Sequence, residues 1–354
     1  MQDAQNEKLD ERLFNESFLL HSSTSPFTTI IASCDVAAEM MEPPEGTSLV
    51  EESIVEALEF RRAMRKVEEE YGDDWWFQVW GPDRLVEDGI GDARDWVLSQ
   101  TDDDNDTFRN AEDAWHGFGD ISPGFNMLDP IKATIVTPGL KMNGDFAPTG
   151  IPASVVTKFL AENGVVVEKT GLYSFFIMFT IGITKGRWNS MVSALQQFKD
   201  DYDKNRPLWR IMPKFVRRNP QYEGANLKDL CKIVHEMYAK HDIARLTTHI
   251  YLSDLHPAMK PSDAFSQIAK RNTERVQIDD LEGKITVGLV TPYPPGIPLL
   301  IPGEVFNKQI VDYLKFARDF GKSCPGFETD IHGIIKHRNA DGSYSFFADV
   351  VKSE

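Results

Sequence analysis

A proline-rich stretch over residues 291–304 (TPYPPGIPLLIPGE) constrains this fold most, because five of its fourteen residues are proline. Each proline fixes φ near about −65°, lacks a backbone N–H, and disfavours helical conformation in the residue before it. We therefore expect neither a helix nor a central strand here. Linkers are polar, whereas this stretch carries Tyr293, Leu299 and Leu300. The pattern predicts a stiff turn on which another part of the protein packs.

The composition is that of an ordinary globular protein. The chain has 354 residues, with 41% hydrophobic and 26% charged residues, which is enough for roughly two or three domains. Its longest apolar run, near residues 175–183, is too short to cross a bilayer. The polar start of the chain is unlike a secretory signal. We therefore expect no membrane association.

A net charge of −17 argues against a nucleic-acid partner, which would require basic patches. The charge suits an enzyme of cationic substrates, although solubility alone explains it as well. Much of the acidic excess lies in residues 102–106, which predict a surface loop. The cysteines are widely spaced without a CxxC or zinc pattern, which predicts reduced thiols and a cytoplasmic setting.

Hydrophobic periodicity predicts a small sheet covered by helices, followed from about residue 213 by a separate α+β domain. The clearest helix covers residues 49–71, with Ser48 as its N-cap and Gly72 as its stop. Residues 27–34 fit a strand or the start of a buried helix. The other predicted helices cover 152–163, 188–202, 227–241, 261–271 and 305–320. The predicted strands cover 131–137, 165–168, 173–180, 276–277, 284–290 and a pair within 333–351.

Two segments carry candidate binding groups. The hydroxyl groups and backbone N–H groups of residues 21–26 (HSSTSP) are natural phosphate ligands, although a helix cap or turn is the commoner use of such residues. Glu168 ends the run VVVE, where a carboxylate at a sheet rim can pair with a ligand's ammonium group. Pairing of Glu168 with Lys169 or another surface base is the commoner alternative.

The histidines and tryptophans point less clearly to chemistry. His116, in AWHGFGD, could act as an acid or base or stack on a cofactor, but a structural role fits a glycine-rich loop better. His235 and His241 are six residues apart and do not share one helix face, so we expect no metal site. The aromatic block at residues 75–80 predicts a core or a subunit interface.

Seven stretches resemble, in family order, the bacterial pyridoxal-phosphate-dependent ornithine/lysine/arginine decarboxylases. They are FNESFLLHSSTSP (14–26), WWFQVWGPD (75–83), WHGF (115–118), LDPIKATIVTPGL (128–140), GIPASVVTKFLAENGVVVEKTG (150–171), PYPPGIPLLIPGE (292–304) and PGFETDIHG (325–333). The resemblance implies an α/β plus α+β fold of partial aminotransferase-like type. It implies the end of a large domain over 1–125, a small α/β domain over 126–212 and the family's C-terminal domain over 213–354.

The same resemblance implies an activity and a site. It implies decarboxylation of a basic amino acid with pyridoxal phosphate, by a homodimer or in association with an upstream decarboxylase piece or a full-length relative. Lysine, giving cadaverine, is the favoured substrate because of VEKTG, although TKGRW at 184–188 is more similar to the arginine branch and ornithine stays open. By resemblance, Ser23, Thr24 and Ser25 contact the cofactor phosphate across the dimer interface. Glu168 meets the distal ammonium of the substrate.

The family's Schiff-base lysine lies in a Ser-x-His-Lys segment, which these 354 residues do not contain. We therefore assign no catalytic residue and expect the chain alone to be inactive. Three interpretations stay open: the downstream piece of a split decarboxylase, an inactive remnant or regulatory partner of a full-length relative, and a truncated gene model.

Overall fold

The computed structural model describes residues 11–23, 25–81, 128–141, 143–293, 296–341 and 343–352. These residues form two compact units, over 1–53 and 54–354. The predicted domain boundaries near residues 125 and 212 stay predictions.

The first unit contains helices α1 (Glu11–His21), α2 (Thr28–Met40) and the beginning of α3 (Glu45–Tyr71). Residues 28–34 therefore belong to a helix, with Phe27 as its N-cap, but α2 buries none of its side chains within this structure. The predicted cap of α3 is wrong, because Ser48 lies inside the helix with its Oγ 3.4 Å from the Pro44 carbonyl oxygen. Gly72 ends α3 as predicted, since its φ of +59° suits glycine.

The second unit begins with an antiparallel sheet in the order β1–β2–β4–β3. Its strands are β1 (Gln78–Val79), β2 (Lys132–Val136), β3 (Lys169–Thr170) and β4 (Ser174–Met178). Helices α4 (Ala153–Glu162) and α5 (Lys185–Asp203) follow β2 and β4 along the chain. The strand predicted at 165–168 is wrong, because the ladder begins only at Lys169. Within β4, Phe175 is buried and its strand neighbours are half-buried.

Helices dominate the next part of the second unit. Short helices α6 (Leu208–Ile211) and α7 (Pro213–Arg218) lead into α8 (Leu227–Lys240), α9 (Ile243–Leu252) and α10 (Pro261–Ala269). The predicted helices at 227–241 and 261–271 are thereby confirmed. Helix α8 begins with a capping box, in which the side chains of Asn226 and Asp229 each accept from the other's backbone N–H. This start explains why the amphipathic stretch becomes helical at Leu227.

Two small antiparallel sheets complete the chain around helix α11 (Lys308–Ser323). One has the order β5–β9–β8, and the other pairs β6 with β7. Their strands are β5 (Thr273–Gln277), β6 (Thr291–Tyr293), β7 (Asp330–His332), β8 (Ile335–Arg338) and β9 (Tyr344–Val351). The predicted C-terminal strand pair is confirmed. The strand predicted at 284–290 is wrong, because Ile285, Thr286 and Val290 form isolated bridges only.

The proline-rich stretch is anchored as its apolar residues predict. Leu299 and Leu300 are buried, and the Leu299 N–H donates to the Val290 carbonyl oxygen over 2.7 Å. Gly303 has φ +93°, and a Cβ there would lie 2.3 Å from the Met259 carbonyl oxygen. The stretch is thus a folded part of the second unit rather than a linker.

The aromatic block forms part of the core of the second unit, as predicted, together with a buried arginine. Trp75 and Phe77 are buried with their rings 5.3 Å apart. Arg61 on α3 is 3% exposed and donates to the Trp80 carbonyl oxygen over 3.0 Å and to that of Lys132 over 3.1 Å. Burial lowers the pKa of the Arg61 guanidinium to about 10. Arg61 therefore ties α3 to the beginning of β2.

We expect Arg61→Lys to lower the free energy of unfolding by about 1–3 kcal/mol, because one ammonium cannot reproduce the forked bridge between two carbonyl groups. Urea denaturation measures this change. The matched control is Arg62→Lys, which affects a half-exposed pair with Glu59 and should cost less than about 1 kcal/mol. Equal effects of the two substitutions would contradict the bridging role of Arg61.

Candidate functional site

A cleft of about 540 Å³ in the second unit is built around Glu168, and we call it the Glu168 cleft. One wall comes from α4 and residues 167–172. Helices α8, α9 and α11 form the other side, with residues 326–329 and Pro292 at the border. The proline-rich stretch therefore reaches this cleft through its second residue.

The lining combines hydroxyl groups, aromatic rings and few charges. Its hydroxyl groups belong to Ser154, Thr157, Thr170, Tyr238, Thr247, Tyr251, Tyr313 and Thr329. Its apolar surface comes mainly from Val167, Leu172, Ile243, Ile250, Phe316, Phe320 and Phe327. Its charged residues are Lys158, Glu168, Lys169 and Glu328. Such a lining suits an organic cation with an apolar stem, because carboxylates bind ammonium groups and aromatic rings cover methylene groups.

Glu168 is exposed and, among the residues that the structure describes, forms no ion pair with Lys169 or any other base. Its backbone N–H donates to the Phe176 carbonyl oxygen over 3.0 Å, which fixes the chain beside β4. Glu168 lies at the bend just before β3, where successive side chains of the strand point to opposite faces, so that Lys169 and Thr170 lie on different faces. The Thr170 hydroxyl donates to Thr157 Oγ1 of α4 over 3.2 Å. Glu168 therefore offers an exposed carboxylate to the cleft.

The tyrosine hydroxyl groups of the cleft stay neutral near pH 7. Burial raises the pKa of Tyr238 to about 12, and the Tyr238 hydroxyl lies 3.5 Å from Ser154 Oγ. Burial also raises the pKa of Tyr251 and of Tyr313. The negative charge of the lining therefore comes from the carboxylates of Glu168 and Glu328.

Lys158 brings a cation to the same wall. It lies on α4 with its Nζ 5.0 Å from the centre of the Phe327 ring and 5.8 Å from that of Phe215. Burial lowers the pKa of the Lys158 ammonium, and attraction by the Glu328 carboxylate opposes that shift. Lys158 thus places an ammonium group against aromatic rings rather than in open water.

A buried polar pair positions the wall that carries Glu168. The Tyr173 hydroxyl and Nδ1 of His235 are 2.5 Å apart, and His235 Nε2 is 2.9 Å from the Ala147 carbonyl oxygen. A carbonyl oxygen can only accept, so Nε2 carries the proton and Nδ1 accepts from Tyr173. A Cβ on Gly139 would lie 2.2 Å from the Tyr173 ring, and one on Gly150 2.4 Å from His235 Nδ1. The two glycines make room for this contact.

The predicted phosphate segment lies in the first unit, between α1 and α2. The Ser25 N–H donates to Ser23 Oγ over 3.2 Å, and both side chains are exposed. Thr24 lies outside the described residues. The local structure is the turn that hydroxyl residues favour, and its exposed hydroxyl groups fit a phosphate ligand chemically. The roles of Ser23, Thr24, Ser25 and Glu168 stay predictions.

The structure describes some of the remaining predicted features and not others. His116 and residues 102–106 lie outside the described part of the chain. His235 is buried in the tyrosine contact, and the His241 ring packs 5.3 Å from that of Phe316. Across the described ranges, no group of three His, Cys, Asp or Glu side chains could hold a metal ion. No helix in those ranges is long and apolar enough to span a membrane.

The sequence reasoning missed Lys158 and Glu328. The spacing of Ser154, Thr157 and Lys158 at i, i+3 and i+4 marks a polar face of α4. The opposite face of the same helix is apolar and buried, with Val155, Val156, Phe159 and Leu160. Glu328 lies in PGFETDIHG, and nothing in that stretch alone indicates which part of the protein it meets.

Two family models match this chain. The model described as "Orn/Lys/Arg decarboxylase, major domain" matches residues 1–187, and the one described as "Orn/Lys/Arg decarboxylase, C-terminal domain" matches residues 244–352. The chain belongs to the Orn/Lys/Arg decarboxylase family. This family is generally pyridoxal-phosphate-dependent.

Named relatives of this chain include lysine and arginine decarboxylases. It is 43% identical to the lysine decarboxylase LdcA of Pseudomonas aeruginosa, over 99% of this chain and 46% of that protein. It is 36% identical to the inducible lysine decarboxylase of Escherichia coli K12, over 98% of this chain and 46% of that protein. The biodegradative arginine decarboxylase of the same strain is 35% identical over 90% of this chain and 44% of that protein. The chain thus spans about half the length of these relatives.

Solved structures show the same fold. Lysine decarboxylase A from Pseudomonas aeruginosa matches with a TM-score of 0.87 at 43% identity, over 98% of this chain and 45% of that one. The Francisella novicida lysine decarboxylase LdcF matches with a TM-score of 0.84 at 35% identity, over 98% of this chain and 46% of that one. The chain therefore has the mixed α/β fold of the family.

We expect Gly150→Ala to destabilise the second unit of this chain by about 1–3 kcal/mol, because the added methyl group would overlap His235. Urea denaturation measures the loss. Gly186→Ala is the control, since a Cβ at Gly186 on α5 meets nothing within 4 Å. A harmless Gly150→Ala would show that the contact between α8 and the sheet is looser than described.

We expect the stability of the chain to fall above about pH 10, because ionised tyrosines favour the unfolded state. The folded-state pKa of Tyr238 is raised from 10.0 to about 12, so its contribution is complete below about pH 10 and is lost as the pH rises through about 12. Between neutral pH and about pH 11, the free energy of unfolding of Tyr238→Phe should therefore fall by about 1 kcal/mol less than that of the unsubstituted chain. If the free energies of unfolding of the two proteins fell in parallel with rising pH, the raised pKa of Tyr238 would be refuted.

Proposed function

We propose that this chain contributes the substrate-recognition part of a pyridoxal-phosphate-dependent decarboxylase of basic amino acids, with lysine as the favoured substrate. The observation that carries the proposal is the exposed Glu168 carboxylate, without an ion pair in the described structure, in a cleft lined by aromatic rings and neutral hydroxyl groups. A carboxylate in such a setting binds an ammonium group through charge-assisted hydrogen bonds.

Lysine is favoured for a chemical reason. One carboxylate satisfies a compact ammonium group, whereas a planar guanidinium is best bound by partners that form two parallel hydrogen bonds. The relatives that are called lysine decarboxylases include one that is 43% identical to this chain. Arginine and ornithine stay alternative substrates.

Pyridoxal phosphate, when bound, supplies the electron sink that decarboxylation needs. The hydroxyl groups of Ser23, Thr24 and Ser25 would donate hydrogen bonds to its phosphate. Glu168 would hold the far end of the substrate, and the aromatic side of the cleft would exclude water from the methylene chain. A Ser-x-His-Lys segment is not among these 354 residues, so we assign the covalent attachment of the cofactor to no residue here.

The proposal is tested by expressing this chain with the part of the Pseudomonas aeruginosa lysine decarboxylase that lies outside the aligned region. We expect lysine-dependent release of CO₂ from the pair and none from the chain alone. Failure of the pair to assemble would be overcome by fusing the two parts into one chain. A folded, cofactor-loaded fusion that does not decarboxylate lysine, arginine or ornithine would sink the proposed function.

In the active pair we expect Glu168→Gln to reduce kcat/KM for lysine by about 10- to 100-fold, because the neutral amide loses the charge-assisted hydrogen bond. Steady-state assay of CO₂ release provides the measurement. Glu223→Gln, at an exposed carboxylate outside the cleft, is the matched control and should leave the rate unchanged. An unaltered rate in Glu168→Gln would remove Glu168 from substrate recognition.

A further inference from the structure

The charges of the Glu168 cleft are the mirror image of those of a free dibasic amino acid. Glu168 and Glu328 offer carboxylates, and Lys158 offers an ammonium group. Lysine in solution carries two ammonium groups and one carboxylate. Lys169 also lines the cleft, but within β3 its side chain lies on the opposite face from that of Thr170, which contacts α4.

Lys158 lacks an anion at contact distance. Within the described ranges it forms no ion pair, and its ammonium group lies over the rings of Phe327 and Phe215. An ammonium group has three donors, which the ring faces satisfy only in part. A carboxylate that enters the cleft would supply charge-assisted hydrogen bonds in surroundings partly shielded from water.

Glu328 stands close enough to Lys158 to attract it and yet is not paired with it. One Glu328 carboxylate oxygen, Oε2, accepts from the Gly326 N–H over 2.8 Å, which fixes the side chain. The attraction between Glu328 and Lys158 acts beyond the 4.0 Å limit of an ion pair. Glu328 and Lys158 can therefore receive an α-ammonium and an α-carboxylate group side by side.

We propose that Lys158, Glu328 and Glu168 form a three-point recognition site for a free dibasic amino acid. Lys158 binds the α-carboxylate, Glu328 binds the α-ammonium, and Glu168 binds the distal ammonium. This proposal rests on the proposed function and deepens it. The site acts before the chemistry, because an α-amino group held by Glu328 is not yet free to join the cofactor.

Recognition of the carboxylate has a purpose for a decarboxylase. The diamine product keeps both nitrogen atoms of the substrate but has no carboxylate, so it leaves Lys158 without an anion. The cleft would then prefer the substrate over the product, and the product would not block entry. Glu168 alone gives no such preference, because both molecules carry the distal ammonium.

Isothermal titration of the purified chain tests the site with four small probes: L-lysine, 1,5-diaminopentane, 6-aminohexanoate and norleucine. The last three lack the carboxylate, the α-ammonium and the distal ammonium respectively. We expect lysine to bind tightest and each of the others to bind about tenfold more weakly. Equal binding of lysine and the diamine, or no lysine binding up to about 10 mM, would overturn the proposal.

Substitutions in the cleft test which side chain binds which group of the amino acid. Lys158→Met should weaken lysine about tenfold and leave the diamine unchanged or tighter, so that the preference for the amino acid disappears. Glu328→Gln should weaken lysine but not 6-aminohexanoate, which has no α-ammonium. Lys158→Arg keeps the charge and should keep the preference. A Lys158→Met chain that still prefers lysine over the diamine would refute the role of Lys158.

Lys214→Met is the matched control, because Lys214 lies on α7 beside a neighbouring cleft and does not line this one. It should leave the binding of all four probes unchanged. Far-ultraviolet circular dichroism of each variant verifies the fold.

These measurements need neither cofactor nor turnover, so they are separate from the test of the proposed function. The predicted binding pattern in a chain whose fused form does not decarboxylate any basic amino acid would support the site and reject the activity. Decarboxylation with a lysine preference that does not depend on Lys158 would support the activity and reject the site.

Discussion

One buried hydrogen bond, from the Tyr173 hydroxyl to Nδ1 of His235, fixes where the two sides of the Glu168 cleft meet. Tyr173 immediately follows the wall formed by residues 167–172, and His235 lies one helical turn before Tyr238 on the facing side. The Ala147 carbonyl oxygen orients the imidazole from behind. Because both partners are buried, breaking the bond would leave polar atoms unsatisfied, so α8 and the sheet are held in one arrangement.

The sequence allowed helices to be predicted better than short strands. The long helices have many turns of apolar periodicity, and α3, α8 and α11 lie close to the predicted positions. β3 has two residues, and its pairing with β4 is set by a tertiary contact that no local pattern contains. Residues 284–290 look like a strand, but they contact three different segments through single bridges. Strand propensity alone could not reveal that these residues pair with three segments instead of one neighbouring strand.

The site was predictable in part. Glu168 was a candidate because a carboxylate at a sheet rim can pair with a ligand's ammonium group, and the resemblance gave it a role that stays a prediction. Lys158 and Glu328 come from segments 170 residues apart in sequence, and their proximity results from the packing of α4 against the C-terminal part of the chain. The rise in the pKa of Tyr238 likewise depends on burial, which only the folded structure shows.

The proline at the centre of β6 also affects how this protein behaves toward other chains. Pro292 pairs with Ile331 in a two-stranded sheet, and its carbonyl oxygen accepts from the Gly296 N–H over 2.8 Å, while no further strand pairs with β6 within the described ranges. Proline cannot donate to a ladder, and in a strand its nitrogen faces the free edge. A foreign strand that approached this edge would find a missing donor at its middle position. The residue that borders the cleft thus also protects the sheet against edge-to-edge aggregation.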